Sequence, residues 1–342
     1  MKRWVEILML VGVALALPLA GQVQSSELRV RMGEQGSVVM KVRGIDAAGR
    51  IVLQPELGES GEALIPLPEA RGLQFLLPDN YRKAQQLAFA GRTGEAVFLM
   101  RRIVPALVPY AAVPESNATG IVRFYFTLLL RERAWLDAIA LAVQLPMGIG
   151  EADFVPDVVE LAKALRAAGR VEEVVTVMEQ VRLDSPQHRK LIWELADEVR
   201  RGGHWRESQV LYEKLSGAEE NGEVAERLKL LLAYTDWHLG SDLSAPGLLS
   251  VMAPPPVDTD RGVLYRLLEG KVALAAGEAA SALDQLAEAL LGIEVASEWR
   301  VEITAAIADA YRAHGRDDLA AVIESDLRRF HPSSRWITAI SD

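Results

Sequence analysis

Cysteine is missing altogether from the 342 residues. That excludes a disulfide framework, a thiol nucleophile, a cysteine zinc site and a lipid anchor on an N-terminal cysteine. Histidine is scarce, with five residues at 188, 204, 238, 314 and 331. No two are spaced as HExxH and none stands beside clustered carboxylates, so the common metal-site patterns are missing. Phosphate loops are lacking as well: "GRTGEAVF" has no GK[ST] ending, and "GEQGSV" sits in strand-like sequence. There is no GxSxG elbow. Positive charge is in deficit, with 37 Lys and Arg against 47 Asp and Glu, a net charge of -10. That is the wrong sign for a nucleic-acid binder. The carboxylates are spread along helical sequence, as in "VEEVV" and "EVAERLK", where they read as a solvated face. The chain therefore reads as non-catalytic, with no cofactor and no metal. An enzyme of unrecognised chemistry stays open as an alternative.

Long apolar runs are confined to the beginning. In "MKRWVEILMLVGVALALPLAGQ" a basic start at Lys2 and Arg3 precedes an apolar run from Ile7 to Ala20, then small residues. This is the layout of a secretory signal peptide over residues 1–21, with a cut after Ala20 or Gly21; an uncleaved N-terminal anchor is the alternative. Either way the expected location is periplasmic or secreted, with no membrane span in the mature chain. The alanine- and arginine-rich helices that follow suggest a bacterial envelope.

Half of the residues are hydrophobic, which excludes a disordered chain, and the length suits two domains or a domain plus a repeat array. From Glu27 to Leu76 apolar residues alternate with a period near two. "SVVMKVRGI", "GRIVLQPEL", "GEALIPL" and "RGLQFLL" read as strands separated by glycine-containing turns. A small module at 27–76 is expected, barrel-like, resembling the SH3-like or Sm-like barrels in pattern alone. It serves either as a binding module or as a cap on the first helix. "NAT" at Asn117 matches a glycosylation sequon and is taken as a loop marker.

After Pro78 apolar residues recur every three to four positions, and residues 79–342 read as helical. A frame repeats there. Seven residues before Gly169 and Gly203 stand Ala162 and Ala196; five after stand Val174 and Ser208; nine after stand Met178 and Tyr212. The same frame fits Gly91, Gly277 and Gly315, and more loosely Arg133 and Gly240. Small residues midway along two antiparallel helices let the backbones approach. A glycine between them enters the left-handed conformation that ends the first helix. No such pair buries its apolar face alone, so pairs must stack.

The frame resembles the tetratricopeptide repeat, whose period is about 34 residues. Its seven anchors lie 42, 36, 34, 37, 37 and 38 residues apart, so most turns carry insertions, and the early tryptophan of the family is missing from most units. A helical array of another repeat family is the alternative. The expected architecture is α+β and multidomain: the β module, then an all-α, TPR-like right-handed solenoid of about seven helix pairs. The resemblance implies that the first helix of each pair lines a groove. Its exposed positions, one and four residues after the small residue, would include Lys163, Arg166, Arg200, Tyr234, Trp237 and Lys271. Such a basic strip with an aromatic shelf suits an extended peptide with an acidic end. Tyr234 and Trp237 could equally be core residues, and Lys163 and Arg166 a solvated helix face. The expected role is a non-catalytic scaffold binding a protein or peptide partner of the envelope. Alternatives are a carbohydrate or peptidoglycan binder that stacks Trp135, Trp193, Trp205, Trp237 or Trp299 on sugars, and recognition by the β module itself.

Overall fold

The computed structural model describes residues 28–32, 38–56, 61–147, 153–219, 222–241, 243–294 and 296–338. The segment read as a signal peptide, residues 1–21, lies outside them. The chain divides into two compact units, Met1–Ala164 and Leu165–Asp342.

The first unit holds five strands: β1 (Arg29–Met32), β2 (Val38–Ile45), β3 (Arg50–Pro55), β4 (Ala63–Pro66) and β5 (Gln74–Leu76). They pair antiparallel in the order β4-β3-β2-β1-β5. Alternation sets the buried face, since Val30, Ile51, Leu53 and Phe75 are buried while their strand neighbours are less so. The register slips between Val42 and Gly44, a bulge whose glycine has φ of +141°.

The sheet is open, which corrects the expectation of a barrel-like module. Its last strand does not return to β4. Instead Phe75 donates its N–H to Asn117 Oδ1 (2.8 Å), and Asn117 Nδ2 donates to the Phe75 carbonyl (2.9 Å). One amide side chain thus imitates a strand neighbour on the outer edge of β5, where an unpaired backbone would be costly. Phe75 also packs its ring 5.2 Å from that of Tyr110. Asn117 is therefore not the loop marker its sequon suggests: it opens a helix and clamps the sheet to it.

Among the described residues fourteen helices follow: α1 (Asp79–Phe89), α2 (Thr93–Met100), α3 (Asn117–Arg131), α4 (Trp135–Ala142), α5 (Val155–Ala167), α6 (Val171–Glu179), α7 (Pro186–Arg201), α8 (Trp205–Ser216), α9 (Glu223–His238), α10 (Ser244–Val251), α11 (Asp260–Ala275), α12 (Ala279–Leu291), α13 (Arg300–Ala313) and α14 (Asp317–Phe330). Consecutive helices pack in pairs, α1 on α2, α3 on α4, α7 on α8, α9 on α10, α11 on α12 and α13 on α14. A four-residue helix, α15 (Arg335–Thr338), follows. All seven frame anchors, Gly91, Arg133, Gly169, Gly203, Gly240, Gly277 and Gly315, have positive φ. A left-handed residue between paired helices is thus common to every pair, including the one where arginine must adopt it.

The residues seven before and five after each anchor are all buried, from Ala84 and Ala96 to Ala308 and Ala320. At Gly270 a Cβ would come within 2.6 Å of the Leu286 side chain, so even alanine is too large for that contact. Helix starts carry local signals too. Ser185 accepts the His188 N–H at 3.1 Å ahead of Pro186, and Thr259 accepts the Gly262 N–H at 3.0 Å. In the second unit α8 packs on α9, α10 on α11, α12 on α13, and α13 on both α14 and α15. Stacking of pair upon pair gives these helices the burial that a lone pair lacks. No described helix is long and apolar enough to cross a membrane.

Candidate functional site

Three of the residues expected to line a groove, Arg200, Tyr234 and Lys271, meet in the second unit around a carboxylate that the repeat frame did not single out. Glu302, in the first turn of α13, is 3 % exposed. Tyr234 Oη donates to its Oε2 at 2.5 Å. Lys271 Nζ lies 2.9 Å from its Oε1 and His238 Nε2 3.4 Å from the same oxygen. Burial by itself would raise the Glu302 pKa; the Lys271 charge and the His238 and Tyr234 contacts overcome it and hold it at about 2. A buried carboxylate survives only with such partners, because an unpaired charge there costs several kcal/mol, on the order of 3–5.

Aromatic rings wall this centre. Tyr234 meets Trp205 and Trp299 edge-on, with centroids at 5.6 and 5.2 Å. His238 lies flat on Trp205 at 4.1 Å, the planes 8° apart. Burial, aided by the Lys271 and Arg335 charges, lowers the His238 pKa against the pull of Glu302. Burial thus favours the neutral form of the ring in the fold. Arg200, at the end of α7, sits 4.1 Å above Trp299, donates from Nε to Tyr212 Oη (3.1 Å) and pairs with Glu298 at 2.5 Å. Burial opposes its charge, yet Tyr212, Glu298 and Asp197 keep its pKa above the usual arginine value.

Arg200 and Tyr234, expected on an exposed groove surface, are thus buried at 2 % and 0 % exposure. Arg335 and Trp336 lie against this part of α7 and α9. Arg335 Nη1 donates to the carbonyls of Arg200 (2.9 Å) and Arg201 (3.1 Å), and its guanidinium lies 4.3 Å from the Trp205 ring. Trp336 packs 5.4 Å from His238 and 6.3 Å from Trp205, with the Lys271 ammonium 5.1 Å from its centroid.

The remaining expected residues lie elsewhere. Trp237 is half-buried on α9 but outside the ring cluster. Arg166 pairs with Glu198 at 2.9 Å. Lys163 pairs with Glu160 at 2.9 Å and belongs to the first unit. His188 is buried at the start of α7. Of the tryptophans weighed for sugar stacking, Trp205 and Trp299 are enclosed in the cluster. Glu302, Trp205, His238, Trp299, Arg335 and Trp336 had no periodic signal. Their partners stand up to 135 residues away, and Arg335 and Trp336 follow Pro332, where the repeat frame stops.

A second, open surface lies on the same two helices. Trp193 on α7 and Arg227 on α9 face each other, the guanidinium 5.2 Å from the ring. They border adjoining hollows of about 470 and 360 Å³. The larger also takes in Arg189, Lys190 and Asp197 of α7.

No family model matches the chain, and no curated relative does. Among solved structures, PilW, described as a widely conserved type IV pilus biogenesis factor, is 14 % identical with a TM-score of 0.36, covering 66 % of this chain and 99 % of its own. A tetratricopeptide repeat protein from Parabacteroides merdae is 12 % identical with a TM-score of 0.39, covering 77 % and 96 %. The P58(IPK) TPR domain is 13 % identical with a TM-score of 0.24, covering 76 % and 85 %. These likenesses are slight, and the helix-pair frame rests on the chain's own geometry: small buried residues at fixed offsets and a left-handed residue in every turn. The pairing is tetratricopeptide-like.

Proposed function

We propose that the protein is a non-catalytic scaffold that holds another protein, or an extended segment of one, against the first helices of its second unit. The observation that carries this reading is the open cleft on α7 and α9, where the indole of Trp193 is flanked by Arg189, Lys190 and Arg227 and by Glu194, Asp197 and Glu219. An indole among long charged side chains of both signs is the composition of a binding hot spot. The basic side chains would take carboxylates or backbone carbonyls of the partner, and the ring an apolar side chain. The apolar start of the sequence supports an extracytoplasmic setting, and an envelope protein as the partner.

Capture from the native envelope fraction tests this, with the wild type beside a Trp193→Ala/Arg227→Ala double variant and cross-links mapped by mass spectrometry. One protein is expected to be enriched, cross-linked to α7 or α9, and lost in the variant. Enrichment of nothing, or of a partner retained by the folded variant, would sink the reading. Lys271 is unsuited to this test, because its loss strands the Glu302 charge.

A further inference from the structure

The chain ends by folding a short segment, Ser333–Ile337, onto its own helix array. Ile337 anchors it between α13 and α14, against Ala305 and Leu327. The two residues before it do something different. Arg335 reaches the last two carbonyls of α7, where the helix dipole places negative charge, and slides over Trp205. Gly203 makes room for it: a Cβ there would stand 3.1 Å from Arg335 Nη1. Trp336 lies over Trp205 and His238 beneath the Lys271 ammonium.

This placement is recognition chemistry, but it is not close packing. Between segment and helices remains a hollow of about 310 Å³, open to the surface and lined on one side by Arg200, Glu298, Trp299 and Glu302 and on the other by Ser334 and Arg335. The segment thus meets the helices through a few side chains and leaves the space beside them open. Burial lowers the Arg335 pKa against the opposing pull of Tyr234 and Glu302. A helix of four residues has no stability of its own, so the segment stays only by these contacts.

We infer that the cradle formed by the end of α7, Trp205, Tyr234 and His238 recognises an arginine–aromatic pair in a partner peptide, and that Arg335–Trp336 occupies it as an internal surrogate. This rests on the scaffold reading and assigns it a second, gated subsite beside the open cleft. The surrogate is tied to α14 by only His331 to Ser334, so its effective concentration at the cradle is of millimolar order. A partner must outcompete it, and its apparent affinity falls by the fraction of time the cradle is closed.

The test uses the full chain and a labelled peptide of residues 331–342, HPSSRWITAISD, followed by fluorescence anisotropy. Arg335→Ala/Trp336→Ala opens the cradle while keeping the Ile337 anchor. This variant is expected to bind the peptide at least tenfold more tightly than the wild type does. Adding Trp205→Ala should weaken that binding at least tenfold, as should alanines at the Arg–Trp pair of the peptide. If the variant is folded, by circular dichroism and a cooperative melt, and ignores the peptide or binds the alanine peptide equally well, the inference fails. Should the variant not fold, hydrogen exchange on the wild type takes its place. Amides of Arg335–Ile337 should exchange at least 100-fold faster than those of α13, and equal rates would overturn the proposal. A captured partner that survives Trp205→Ala leaves the scaffold standing and removes only the cradle.

Discussion

The two compact units use one helix-pair frame and fill it differently. In the first, the large enclosed side chains are apolar, among them Ile51, Leu53, Met100, Phe126 and Leu129, and the notable polar contact is the neutral clamp of Asn117 on Phe75. Among the described residues, every buried polar or charged side chain belongs to the second: His188, Arg200, Ser208, Thr235, Glu302 and Glu324. The frame constrains only the small residues at helix crossings. What stands a turn away is free to vary, and the second unit has used that freedom to bury ions. An apolar interior only stabilises. An ionic one also responds to pH and to whatever supplies or withdraws a partner charge.

The sharpest contrast should come from removing one large residue in each unit. Phe126→Ala is expected to cost the first unit about 3–5 kcal/mol from transfer and cavity terms, and equally at pH 7 and pH 4. Glu302→Ala should cost the second a similar amount, roughly 3–5 kcal/mol, because Lys271 is left charged and buried. Denaturant unfolding followed by hydrogen exchange unit by unit reads both. A Glu302→Ala loss below about 1 kcal/mol would mean the ions are not essential to the interior.

Acid should then separate the units without any mutation. The Glu302 pKa is depressed in the fold to about 2 from an ordinary value of 4.5. Its contribution, about 3 kcal/mol, is therefore complete above pH 4.5 and disappears as pH falls towards 2. The His238 pKa is lowered from 6.5, so its neutral form is favoured in the fold, and stability is lost as pH drops below 6.5. Both signs agree: the second unit weakens on acidification. Five of the seven tryptophans lie beyond residue 164, so indole fluorescence reports that unit preferentially. A second unit as stable at pH 3 as at pH 7 would contradict the ionic account.

Asn117→Ala should cost the first unit about 1–3 kcal/mol, since it leaves both polar groups of Phe75 without partners. Faster exchange of the Phe75 amide, with α9 and α13 unaffected, is the expected signature. At the small end, Arg92→Ala removes an exposed pair with Glu95 at 2.5 Å and should leave the denaturant midpoint unchanged. A lowered midpoint would mean that surface charge matters more to these helices than their packing does.

Where the sequence repeats a local requirement, it could be read in advance. A left-handed residue with buried residues seven before and five after is dictated by the chain next to it, so even the loosely fitting units at Arg133 and Gly240 carry it, although Phe126 stands where the other units have a small residue. Two-residue alternation likewise revealed the strands. It could not reveal whether the sheet closes, because the outer edge of the last strand is taken by Asn117, 42 residues beyond its partner Phe75. Of the two places weighed for Tyr234, groove or core, the structure gives the core, and it buries Arg200 as well.

By itself, then, the order of residues determined the strands, the helix pairs, the turn residues and which face each helix turns inward. These follow from backbone geometry and periodic burial over a few neighbours. Only the tertiary structure decided that the sheet stays open, that three cations and five rings gather around Glu302, and that Arg335 and Trp336 lie among them. Those contacts join residues up to 135 positions apart. They leave no period in the sequence, because each is a single meeting of side chains brought together only once the helix pairs have stacked.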